Sequence, residues 1–135
     1  MKNNHLLSAA LGAAFLAGSI TQATGAVEEA DFKLKTTMDL YGICSVDSAS
    51  PNFIPAIYAC RGYIGGAVHY HDAVTDKDGL KRLICYGDTA TLEEGRNAFL
   101  QWVNANKTNG KYMNEVPVVG LVRALADKYP CSNRH

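Results

Sequence analysis

The run Cys60-Arg-Gly-Tyr-Ile-Gly-Gly-Ala-Val-His-Tyr-His71 holds a thiol, several glycines and two imidazoles within a short span. Three kinds of chemistry could use such residues. A cysteine near a histidine can act as a thiolate nucleophile. Histidines two apart share a face on a strand and could ligate a metal. A glycine-rich loop that opens a helix can cradle a phosphate in backbone N–H groups. The compartment and the element that carries the run decide among them.

Residues 1–26 place Lys2 before an apolar stretch from Leu6 to about Ile20, then small residues through Ala26. This layout predicts a cleaved secretory signal peptide. The apolar stretch is short of the roughly 20 residues a membrane-spanning helix needs, and no basic stop signal follows it. Residues 27–135 then form one small domain with a limited core, expected in the periplasm and off the membrane once the leader is removed. Cys44, Cys60, Cys85 and Cys131 all lie in the exported part. An even count in an oxidising compartment predicts two disulfides. The formal charge is zero and no basic run occurs, which argues against nucleic acid as a partner.

Leu34, Met38 and Tyr41 are spaced to share one face of a first helix between Glu28 and about Val46. A second helix is expected from Ser50 or Asn52, with Phe53, Ile57, Ile64 and Val68 inward, fading near Asp72–Thr75. Leu80–Asp88 reads as either extended or helical. Thr91-Leu-Glu-Glu94 is a capping box that opens a helix with Leu92, Phe99, Trp102 and Val103 inward. The run Asn104–Gly110 ends it. A last helix starts around Asn114, has Pro117 in its first turn, and points Val118, Leu121, Val122 and Leu125 inward. The expected fold is all-α, a small bundle of four to five helices stapled by two disulfides.

On a helix the sharp readings weaken. Cys60 and His69 would stand about 13 Å apart along the axis, too far for a nucleophile and its base. His69 and His71 diverge, so no metal site is expected, and nothing in the chain calls for a cofactor. No strand precedes Gly62, Gly65 and Gly66, so a phosphate loop has no frame. Gly62 and Gly66, one turn apart, instead suggest close packing of a neighbouring backbone, with Tyr63 and Ile64 filling the core. No Ser-His-Asp order appears, and an enzyme is not expected.

Leu40-Tyr-Gly-Ile-Cys44, Cys60-Arg-Gly-Tyr-Ile-Gly-Gly66, Ile84-Cys85, the helix opened by Thr91, Leu121-Val-Arg-Ala-Leu125 and Tyr129-Pro-Cys131 span almost all of the exported chain. In this pattern the chain resembles the Rap/Tai immunity-protein family. The resemblance implies a periplasmic helical protein, without catalysis of its own, that binds and inhibits a cell-wall amidase effector of type VI secretion. Such inhibitors present a protruding loop. The polar candidates for partner binding are Asp76, Lys77, Asp78, Lys81 and Arg82, together with Asn106, Lys107, Asn109 and Lys111. Homodimer formation stays open.

A reading of another class is a small periplasmic helical chaperone or stress-response protein with no amidase partner, for which His69 and His71 would supply an acid trigger. Metal carriage by the same histidines is a third. For the disulfides we expect Cys60–Cys85 and Cys44–Cys131, with the neighbouring pairs Cys44–Cys60 and Cys85–Cys131 as the competitor.

Overall fold

The computed structural model describes residues 27–131; the expected signal peptide lies outside them. Among the described residues a short 3-10 helix, Glu29–Lys33, precedes α1 (Thr37–Cys44), α2 (Phe53–Asp78), α3 (Leu92–Asn106), α4 (Gly110–Asn114) and α5 (Pro117–Lys128). No strand forms among them. The all-α bundle with two disulfides is therefore as expected.

The first helix is shorter than expected, for a local reason. Leu34 takes a left-handed conformation with φ 48°, which breaks the chain after the 3-10 turn. Thr36 and Asp39 then form a capping box that restarts it as α1. The inward residues are accordingly Leu40, Ile43 and Cys44, while Met38 is exposed and Tyr41 half-buried. α2 continues past Thr75 to Asp78, where Gly79 ends it at φ 62°. A left-handed residue just past a helix end suits glycine, which has no Cβ to clash.

Residues 80–90 are irregular rather than helical. Thr91 caps α3 as expected, although Leu92 points outward. Asn109 accepts from the Tyr112 N–H and opens the short α4, an additional helix between the two expected on either side of it, whose five residues are too few to show an apolar period. Pro117 is the first residue of α5; Leu121 and Leu125 are buried there and Val118 is exposed.

Phe99, Leu40, Ile43, Ile64, Ile84 and Leu121 are the largest side chains fully shielded from water and form one core. Polar ties close its ends. The Arg96 Nε–H donates to the Cys44 carbonyl at 2.8 Å, serving an acceptor that α1 leaves unpaired at its C-terminus. Arg123 makes a two-pronged bond to Glu115 at 3.0 and 3.1 Å and lies 4.8 Å from the Tyr112 ring, which itself stacks on Trp102. The N–H and hydroxyl of buried Thr37 both donate to the Glu115 carbonyl.

The disulfides join Cys44 to Cys60 and Cys85 to Cys131. The expected Cys60–Cys85 and Cys44–Cys131 pairing is thus wrong. α1 leads through a short turn into α2, so Cys60 in the early turns of α2 returns beside the end of α1. Cys85 instead meets the residue after α5, and its N–H donates to the Tyr129 carbonyl at 2.9 Å.

Close packing at Gly62 and Gly66 is also corrected, because a Cβ at either would meet nothing within 4 Å. The tight approach is at Gly120, where a Cβ would sit 2.4 Å from Thr37 side-chain atoms. Thr37 is pinned by its two bonds to Glu115 and cannot retreat. Gly120→Ala is therefore expected to destabilise the fold by about 1–3 kcal/mol through overpacking. Gly66→Ala should instead stabilise it by up to about 1 kcal/mol, since alanine is the better helix former. Urea unfolding of both variants checks the opposite signs.

Candidate functional site

The run from Cys60 to His71 is helical throughout. Cys60 is spent in its disulfide. His69 is exposed and His71 buried, so the two imidazoles diverge as helical spacing requires. The Leu83 N–H donates to His71 Nε2 at 3.1 Å, and His71 Nδ1 lies 3.0 Å from Asp72 Oδ1. Nε2 must therefore be the acceptor, and Nδ1–H donates to the carboxylate. Both ring nitrogens are occupied in holding the chain. Among the described residues no group of three or more His, Cys, Asp or Glu side chains is placed to hold a metal.

Asp72 is the hub of a polar cluster that sequence spacing did not suggest. Its carboxylate accepts from His71, from Arg82 Nη2 at 2.6 Å and from the Tyr86 hydroxyl. Arg82 also bonds Asp76 at 3.1 Å. Burial works against the Asp72 charge. The bonds from Tyr86 and His71 and the charge of Arg82 outweigh it and hold the carboxyl below its ordinary range. The bond to Asp72, helped by burial, in turn pushes the Tyr86 phenol up. This cluster clamps the irregular 79–86 segment onto α2. Of the first set of partner-binding candidates, Asp76 and Arg82 are thus engaged within the protein. Lys77 and Lys81 are exposed, and Asp78 is the last residue of α2.

The second set lies at the α3–α4 turn. Asn106 donates back to the Trp102 carbonyl and Asn109 caps α4, so both shape the turn. Lys107 and Lys111 are exposed beside them. Among the described residues no hydrogen bond or ion pair joins this set to the first. The two polar sets are separate surfaces in the structure.

Between α2, the clamped segment, the start of α3 and the end of α5 lies a pocket of about 240 Å³. Ile64, Ile84 and Leu125 form its apolar floor, with Tyr86 and Tyr129 in its wall and His69 among the exposed lining residues. It depends on contacts between distant segments, which no single motif announces. Glu93, bonded to Arg61 of α2 at 3.1 Å and to Arg96 at 2.7 Å, ties the α3 start to α2 beside it. The bonds from these two guanidinium groups hold the Glu93 carboxyl below its ordinary range.

The model of the family described as Rap1a immunity proteins matches residues 36–131, well over half of the chain. The chain belongs to this family. The match begins at the Thr36 cap of α1 and ends at Cys131, so it takes in all five α-helices and both disulfides. No curated protein and no solved structure matches the chain significantly. Rap1a immunity proteins are protective proteins that bind a protein effector, and membership extends that coarse role to this chain. All four cysteines are paired, which is compatible with a secreted or periplasmic setting.

Proposed function

We propose that this Rap1a-family chain is a periplasmic immunity protein, without catalysis of its own, that binds a cell-wall amidase effector of type VI secretion and blocks its active site. The observation that carries the reading is the family match across the whole disulfide-bonded body. The amidase target rests on the resemblance of the Cys60–Gly66 run and the closing Tyr129-Pro-Cys131 to Rap/Tai proteins. The internal commitment of Asp76 and Arg82 favours the α3–α4 turn, with exposed Lys107 and Lys111, as the loop offered to the effector. Lys77 and Lys81 form the second polar surface.

The test is co-expression in the periplasm of the amidases encoded beside this gene, with and without this protein. Protection from lysis is expected, and it should weaken in Lys107→Glu/Lys111→Glu. Lysis unchanged by the wild-type protein for every such amidase contradicts the proposal.

A further inference from the structure

We propose that the pocket between α2, α3 and α5 is a binding site for a single aromatic side chain bearing a hydrogen-bonding substituent, of the tyrosine or tryptophan type, presented by the protein partner. Two independent observations support a guest here. First, the glycines in its wall do not serve close packing. A Cβ at Gly65 would stand 3.7 Å from Leu92, and one at Gly95 would stand 3.6 Å from Leu125 and 3.7 Å from Ile64. These are ordinary contact distances, so alanine would fit at both and would suit a helix interior better. The glycines instead leave room in the pocket. The depression near α1 differs, because a Cβ at Gly42 would lie 2.9 Å from the Asp31 carboxylate, and that glycine is needed for packing.

Second, the Tyr129 hydroxyl is buried without a hydrogen-bond partner among the described residues. An unsatisfied buried hydroxyl is unfavourable, and the polar substituent of a guest seated beside Tyr129 would satisfy it. The volume of about 240 Å³ exceeds the roughly 150 Å³ at which an apolar cavity admits benzene. The walls are already fixed. Tyr86 and Tyr129 meet edge to face at 6.3 Å, Tyr86 is held by Asp72, and the Cys85–Cys131 disulfide joins the residues flanking the two rings. Aromatic edges and faces favour an aromatic guest. Exposed Leu92 and His69 keep the opening accessible to another protein. Buried Tyr and Trp anchors dominate many protein interfaces. The protein source of the guest rests on the immunity reading, whereas the pocket's affinity for an aromatic group does not.

Titration of isotope-labelled protein with p-cresol and 3-methylindole, followed by NMR, tests the pocket without an effector. Saturable shifts are expected at the Gly65, Gly95 and Tyr129 amides. Gly65→Ala/Gly95→Ala should weaken probe binding at least tenfold without lowering the unfolding midpoint, and Tyr129→Phe should weaken both probes, since each carries a hydrogen-bonding substituent. Absence of saturable shifts in the wild type, or unchanged affinity in the filled variant, overturns the proposal. With the effector complex, p-cresol should compete and the filled variant should bind at least tenfold more weakly. Probe binding without either effect assigns the pocket to a free small molecule and overturns the partner assignment. Probe binding by a protein that protects against no amidase supports the pocket and removes only the amidase reading.

Discussion

Replacing Cys85 and Cys131 together by alanine should lower stability by about 4 kcal/mol, and replacing Cys44 and Cys60 should lower it by nearly as much. The bridges span 46 and 16 residues. Loop-closure entropy for those lengths is worth about 4 and 3 kcal/mol. A packing effect narrows the difference. Cys44 and Cys60 are fully buried, so truncation also removes core contacts, whereas Cys85 is exposed and Cys131 half-buried. For a domain whose total stability lies near 5–15 kcal/mol, losing both bridges should leave it largely unfolded at 37 °C. Urea unfolding of the oxidised protein, each paired variant and the fully reduced protein measures these effects. A loss below about 1 kcal/mol for either pair would show that the bridge contributes little.

Asp72→Asn should cost roughly 2–3 kcal/mol and flatten the acid side of the stability profile. The substitution weakens three bonds at once, those from His71, Arg82 and Tyr86. Hydrogen bonds to charged groups each contribute about 1.5–3 kcal/mol, and partial exposure of the cluster keeps the total below their sum. The pH dependence follows from the carboxyl being held below its ordinary range in the folded state. Its stabilisation is fully present above the unfolded carboxylate value of about 4 and is lost as pH falls through the lower folded value. Urea midpoints between about pH 2 and 7 should therefore fall more steeply below pH 4 in the wild type than in Asp72→Asn. Parallel profiles would remove Asp72 as the clamp of the 79–86 segment.

What could be read in advance divides by the range of the interaction. The Thr91–Glu94 box and Pro117 mark helix starts through chemistry confined to one turn; α3 opens at Thr91 as expected, whereas the last helix begins at Pro117 itself and Asn114, its expected start, closes α4. Thr36–Asp39 carries the same type of signal, but the apolar spacing of Leu34, Met38 and Tyr41 hid it. The left-handed turn at Leu34 then set a different inward face. The disulfide pairing depends on how α1 meets α2 and how the 80–90 segment meets the end of α5, which spacing does not specify. The glycines show the same limit. Gly62 and Gly66 looked like a packing face and meet nothing, whereas Gly120 touches Thr37 from across the bundle. The Asp72 clamp and the Tyr129 pocket join segments 10 or more residues apart in sequence, so local pattern was silent about both.

The family-carrying run that opened as a nucleophile, metal or phosphate motif is now resolved into separate parts. Cys60 is a staple, Ile64 a core residue and pocket floor, Gly65 a vacancy in the pocket wall, and His71 part of the clamp. The most direct measurement of the proposed role is titration of a purified candidate amidase effector with the oxidised protein of residues 27–135, following peptidoglycan cleavage. Inhibition should saturate near one equivalent, with no change in either protein's covalent mass. Full amidase activity in the presence of excess folded protein would contradict that role.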